Sequence, residues 1–124
     1  MPTINDIKQI LADGGITTTI YLDDIPAKVN TAVGLYTNAG QSAQHTFGAV
    51  AFRRPSVQII TRSPATAASL ALAEAIRDLL DGQTEVTVGA KVYMSIRCVA
   101  DIINLGKSDA GYHQHSINFD LMVR

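Results

Sequence analysis

Apolar and polar positions recur along this chain with two different periods, and each change of period marks an element. Ile4, Ile7, Ile10 and Leu11 fall at helical spacing, which predicts a first helix with one apolar side. Thr3 is placed to cap its first turn, with Asp6 three residues on as a capping-box partner, and Gly14-Gly15 ends it. Thr17 to Leu22 is β-branched and aromatic and reads as a strand. Asp23, Asp24 and Pro26 turn the chain, and Thr31 to Thr37 reads as the partner strand. From Asn38 to Arg54 the composition shifts to Gly, Ala, Gln and Ser around Phe47 and Phe52. That shift predicts a long flexible loop at about 38–54, of a length that inside a small domain is usually functional or disordered.

A new period begins after Pro55. In Ser56 to Arg62, Val57 and Ile59 face one way while Gln58, Ile60 and Arg62 face the other. Ser63 suits a helix N-cap, and Pro64 suits the first helical position, where a missing N–H costs nothing. The helix to Leu80 then places Ala68, Leu72, Ala75, Ile76 and Leu79 on one stripe, with Leu80 at its margin. Glu74, Arg77, Asp78 and Asp81 occupy the other side, with Arg77 in reach of Glu74 or Asp81. Gly82 is placed to stop the helix in a left-handed conformation. Leu70 breaks the pattern. At 100° per residue it lies with Ala67, Ala73 and Glu74, off the core stripe. A scattered exposed leucine needs no explanation; the sharper alternative is a helix face covered by a neighbouring subunit.

The last third reads as sheet. Glu85 to Val88 leads through Gly89-Ala90 into a strand from Lys91 to Ile102. Strict alternation puts Val92, Met94, Ile96, Cys98, Ala100 and Ile102 on one face, and Tyr93, Ser95, Arg97 and Asp101 on the other. Leu105 to Tyr112 reads as a polar turn region, and Ser116 to Arg124 as a closing strand with Ile117, Phe119, Leu121 and Val123 inward. The order α-β-β-β-α-β-β-β predicts an α+β fold: a mixed, mainly antiparallel sheet with two helices packed on one face.

Composition narrows the function more than the fold. At 124 residues the chain is the size of one domain, spanning 1–124. Ten basic residues nearly cancel eleven acidic ones and neither sign forms a run, so no basic patch for nucleic acid or anionic membrane is indicated. The lone Cys98 has no partner for an internal disulfide. No apolar run approaches membrane-spanning length and the first residues lack a secretory pattern. The expectation is a soluble chain folded in a cytosol.

Candidate chemistry is sparse. Gly106-Lys107-Ser108 resembles the end of a phosphate-binding loop, but that motif needs glycine where Asp101 stands. His113 and His115 lie two apart and, with His45, supply three nitrogen ligands of the kind that hold zinc, yet nothing in the sequence brings His45 to the other two. Asp23-Asp24 beside Pro26 suits a turn better than a pair of catalytic carboxylates. Cys98, on the apolar face of a strand, suits a small buried hydrophobe rather than a reactive thiolate. Ser42 and His45 lack an orienting carboxylate. The expectation is no enzyme, no metal and no cofactor.

A resemblance carries the reading further. Asp24-Ile25-Pro26, then Ala32-Val33-Gly34-Leu35-Tyr36-Thr37 and Gly40, then Pro55-Ser56-Val57-Gln58-Ile59 and Arg62, and finally Ala73-Glu74-Ala75-Ile76-Arg77-Asp78-Leu79-Leu80 resemble the phage minor capsid or tail-terminator (tail completion) family. The match is similar to the lambda-like tail terminators and covers about positions 20 to 82, with the C-terminal sheet following only in general pattern. The resemblance implies a structural virion protein of the tail or neck, assembled in the host bacterial cytoplasm. It implies a ring, usually a hexamer, that caps the tail tube, ends tube polymerisation and presents a head-joining surface. The implied partners are further copies of the chain, the major tail-tube protein and a head-connector or neck protein, with DNA passing through the ring and no membrane. No catalytic residues transfer. Leu70, Phe47, Phe52, Arg53 and Arg54 are the interface candidates, the arginines either facing an acidic partner or passing DNA or forming a solvated pair. A small-molecule-binding oligomeric regulatory module and a related neck or head-completion protein are the alternatives.

Overall fold

Two helices lie on one face of a seven-stranded sheet, and the apolar periods in the sequence decide which face. The structure is a computed structural model that describes residues 3–26, 28–46, 49–108 and 111–123. The first helix, α1 (Thr3–Asp13), buries Ile4, Ile7 and Leu11 as its spacing predicts. Strands β1 (Ile20–Leu22), β2 (Ala32–Thr46) and β3 (Ala49–Ser63) follow, then α2 (Thr66–Leu80). The chain closes with β4 (Val86–Val88), β5 (Lys91–Cys98), β6 (Ile103–Lys107) and β7 (His113–Val123). The sheet order is β1-β2-β3-β7-β5-β4, with β6 also on β7. Only β1–β2 is parallel; every other pairing of named strands is antiparallel. This is the expected α+β class.

The registers explain the core. Leu35, Ile59 and Ile117 stand side by side across β2, β3 and β7, and Val57 pairs with Phe119. All are buried, together with Ala73, Ile76 and Leu80 of α2. On β7 the inward set Ile117, Phe119, Leu121 and Val123 is as the alternation predicts.

Several expectations need correction. The segment expected to be a loop at about 38–54 is paired strand wherever it is described: β2 continues to Thr46 and β3 begins at Ala49. Register shifts between Asn38 and His45 interrupt the ladder, which is how a Gly- and Ala-rich stretch without strict alternation is accommodated in a strand. Ser63 does not cap α2. It is the last residue of β3, buried and paired with His113, and Ala65 is the N-cap with no side-chain bond. The start of α2 is therefore two residues later than expected and its buried stripe is Ser69, Ala73, Ile76 and Leu80, leaving Ala68 and Ala75 exposed.

The third correction concerns β5. A register shift between Tyr93 and Ser95 reverses the alternation, so Tyr93 and Ile96 both point into the core. The strand ends at Cys98, and the chain resumes as β6 along the N-terminal half of β7, so Leu105 to Lys107 is strand rather than turn. Fourth, Asp6 does not serve the helix start. Its carboxylate is buried, accepts a hydrogen bond from the Tyr93 hydroxyl and pairs with Lys91 Nζ at 3.2 Å, tying α1 to β5. Arg77 pairs with Asp78 at 3.7 Å instead of Glu74 or Asp81, while Asp81 Oδ1 accepts from the Cys98 N–H at 2.8 Å. Gly82 does adopt the left-handed conformation expected after α2, with φ +83°.

Candidate functional site

The face of the sheet turned away from the helices is polar, and Arg62 organises one end of it. At one end, Arg62 of β3 is buried although it is charged. Its Nη1 donates to the carbonyls of Pro26 at 2.9 Å and Val29 at 3.4 Å. With the Gln114 amide turned so that its oxygen faces the guanidinium, that oxygen accepts from Nη2 at 2.9 Å and Nε at 3.1 Å. The planar fork of donors suits several fixed acceptors at once, as a lysine does not. Arg62 thereby fastens the β1–β2 connection over the sheet. Ile25, in that connection, is buried on Gly34, where a side chain would collide with it and with the Tyr36 ring. Burial foremost, then the Asp24 charge, raises the Tyr36 pKa above its ordinary value against the opposing pull of Arg62. The Asp24-Ile25-Pro26, Gly34-Leu35-Tyr36 and Arg62 pieces of the resemblance are thus brought together into one corner.

At the other end, Arg54, Ser56, Ser95, Arg97, Asp120, Leu121 and Met122 line an open cleft. Ser56 Oγ donates to Asp120 Oδ1 at 2.6 Å, and Asp120 is also the register partner of Arg97. The cleft offers hydrogen-bonding groups of both signs.

Of the interface candidates, Leu70 is exposed on α2, at 38%. Arg53 is exposed where β3 meets the last residue of β7, Val123, and Arg54 lies in the cleft. The two arginines occupy opposite faces because successive strand residues alternate. Phe47 lies outside the described residues, and Phe52 is described only as a backbone position of β3 paired with Gln44. Beyond the Arg53–Val123 pair, β2 and β3 pair with each other alone among the described strands, which makes this stretch a two-stranded arm.

The sequence missed a second surface. Besides Leu70, the exposed large hydrophobics among the described residues are Val99, Ile103 and Leu105, at 52%, 48% and 45%. They cluster at β6 and the link before it, on a strand that has β7 on one side and no strand on the other among the described residues. The signal available was Ile103 and Leu105 two residues apart, a strand period inside a stretch otherwise dominated by turn residues.

The histidines do not converge. His45 pairs with Val50 near the start of β3, whereas His113 pairs with Ser63 at its end, about 40 Å of extended chain away. His115 is buried in the core, its Nδ1 2.8 Å from Ser69 Oγ, which in turn lies 3.1 Å from Thr61 Oγ1. This polar set fixes the first turn of α2 to β3 and β7. Ser69 is fully buried, so the Ser–His contact holds structure and meets no substrate. Cys98 is half-buried, its Sγ donating to the Ala100 carbonyl at 2.9 Å.

Burial, and secondarily the neighbouring His113, lowers the His115 pKa below its ordinary value. The fold therefore binds fewer protons at this site than the unfolded chain does, and stability rises with pH in that window. Stability from this site is complete above about pH 6.5 and declines as pH falls from there to the lowered value. Urea midpoints measured from pH 7.5 down to 5 are expected to fall in the parent chain and to fall less in His115→Gln. An equal decline in both would assign the effect to other groups.

The comparisons with known proteins decide what this architecture belongs to. The family model for bacteriophage tail terminator protein matches residues 8–123. The chain belongs to the bacteriophage tail terminator family. That places it in the virion tail as a structural component, assembling with other virion proteins. The comparison with curated proteins gives no match. Among solved structures, the chain is similar to one in the virion of a native gene transfer agent (GTA) particle, with a TM-score of 0.75 and 18% identity. The alignment covers 98% of this chain and 93% of that one; at this identity the likeness is one of fold. Family membership extends the resemblance into the C-terminal sheet, which the sequence motifs did not reach.

Proposed function

We propose that this member of the tail terminator family forms a ring that caps the tail tube, ends tube polymerisation and presents the surface to which the head-joining proteins attach. The observation that carries the reading is the family match across residues 8–123. The fold supports it: a protein that works by contact needs a rigid body with unpaired surfaces, and this one has a single apolar core, a polar open sheet face, an arm and an exposed apolar edge. The similar chain in a gene transfer agent particle belongs to a virion assembly as well. The work is mechanical and no catalytic step is required of it.

The ring is proposed to contain six subunits, with the tail-tube protein on one side, a neck or head-connector protein on the other, and DNA passing through the centre. Leu70, Phe47, Phe52, Arg53 and Arg54 are proposed to contribute contacts. In an assembly reaction containing purified tail-tube protein, adding the chain is expected to shorten the tubes and to place a ring at one end, visible by negative-stain electron microscopy. Tubes of unchanged length with no bound chain would overturn the reading. Leu70→Glu is expected to weaken ring formation, at least about threefold, since burying a carboxylate against a neighbour is unfavourable. Unchanged assembly would remove Leu70 from the interface.

A further inference from the structure

We propose that the cleft on the open sheet face is a binding site for one carboxylate group, an Asp or Glu side chain presented by a partner protein and held between Arg54 and Arg97. The site is independent of the ring reading, since its chemistry is set within one chain. Its geometry follows from the strand registers. Ser56 of β3, Asp120 of β7 and Arg97 of β5 are direct neighbours across three strands. Two residues along each strand, and therefore on the same face, stand Arg54, Met122 and Ser95, with Ser95 the register partner of Met122. All six line the cleft. The arginines occupy opposite corners of this grid, two strand spacings and one two-residue step apart, or about 12 Å between their backbones. Arginine side chains are long enough to close on one group from both corners.

Charge sets the occupant. Asp120, in the middle of the grid, accepts from Ser56 Oγ at 2.6 Å. Arg97 is exposed and, among the described residues, takes part in no salt bridge, although Asp120 is its register partner. Two guanidinium groups against one carboxylate leave the cleft with a positive excess that a single carboxylate neutralises. Guanidinium forks match the two oxygens of a carboxylate, and the Ser95 hydroxyl offers a further donor. The Met122 side chain supplies an apolar floor for the methylenes of the acid. A phosphate backbone fits less well. A nucleic-acid strand needs cations spaced along its track, whereas here Asp120 lies between the arginines and the basic residues of the chain form no run. With about 280 Å³ of space, the cleft takes a side-chain head rather than a cofactor.

Nuclear magnetic resonance titration of the isotope-labelled chain tests this, with the blocked peptides Ac-Gly-Glu-Gly-amide and Ac-Gly-Gln-Gly-amide as probes at constant ionic strength. The Glu peptide is expected to move the Arg54 and Arg97 Nε–H signals and the Asp120 and Met122 amides in a saturable way, and the Gln peptide to leave them in place. Arg97→Gln is expected to weaken binding at least about fivefold, through loss of one guanidinium fork. Asp120→Asn is expected to tighten it at least about twofold, because a fixed negative charge beside the incoming carboxylate is removed. Opposite signs at neighbouring positions separate an anion site from a loss of folding, and the same spectra show whether each variant is folded. If the Glu peptide moves nothing, or the Gln peptide moves the same signals equally, the cleft is no carboxylate site. If Asp120→Asn weakens binding or leaves it unchanged, the charge balance of the cleft does not govern it and the proposal fails. If a short duplex DNA moves the same arginine signals and the Glu peptide does not, the cleft takes phosphate and the protein-partner proposal is overturned.

Discussion

Asp6→Ala is expected to cost about 3 kcal/mol of folding stability. The Asp6 carboxylate is 1% exposed, and it is held there by the hydroxyl of the fully buried Tyr93 and by Lys91 Nζ at 3.2 Å. A hydrogen bond to a charged group contributes roughly 1.5–3 kcal/mol, and removing one member of a buried charged pair typically costs about 3–5 kcal/mol. Lys91 retains a side-chain exposure of 30%, so its ammonium can turn to water, which places the expected loss at the lower end of that range. The measured consequence is a fall in melting temperature of about 10 °C, given a chain of this size. Tyr93→Phe removes the donor instead and leaves the carboxylate with Lys91, for about 2 kcal/mol. The Asp6→Leu/Tyr93→Phe pair is expected to cost less than Asp6→Leu and Tyr93→Phe summed, because no buried polar group is then left without its partner. A loss under about 1 kcal/mol for Asp6→Ala would mean that packing alone, through Ile4, Ile7 and Leu11, holds α1 on the sheet.

The contrast between what the sequence disclosed and what it hid follows the range over which each determinant acts. The faces of α1, β7 and the Val57–Ile59 run are set by neighbours three, four or two residues away, and those were legible in the spacing. The reversal in β5 was not, because it depends on one extra residue in the ladder with β7, a partner about thirty positions downstream. Asp6 was hidden for a similar reason: an acid three residues after a threonine looks like a capping partner until its burial against Tyr93 is known. Ser63-Pro64 looked like a helix start, but Ser63 is held by pairing with His113, fifty residues on. Candidate sites divide the same way. Leu70 stood out on its own helix, whereas the β6 edge is a property of the whole sheet, visible only once β7 is seen to carry β3 on one side and β5 and β6 on the other.

Gly34→Val is expected to destabilise the chain by about 2–3 kcal/mol, although valine is the better strand former. A Cβ at this position would lie 2.7 Å from Ile25 Cγ1, 2.8 Å from Ile25 Cδ1 and 2.8 Å from Tyr36 Cε2. Contacts that short must be relieved by movement, and the surroundings resist it. Ile25 belongs to the connection that Arg62 grips through the Pro26 and Val29 carbonyls, and Arg62 is itself fixed by Gln114 of β7. Pushing Ile25 outward therefore exposes a buried isoleucine or strains the Arg62 bonds, and either outcome exceeds the gain of at most about 1 kcal/mol from strand propensity. Ile25→Ala alone is expected to cost about 2–4 kcal/mol by leaving a void over Gly34. Combined with Gly34→Val it should cost clearly less than the sum, since the valine fills the space that the isoleucine vacates. A variant with an unchanged urea midpoint would show that the corner built on Ile25, Gly34 and Arg62 does not govern stability.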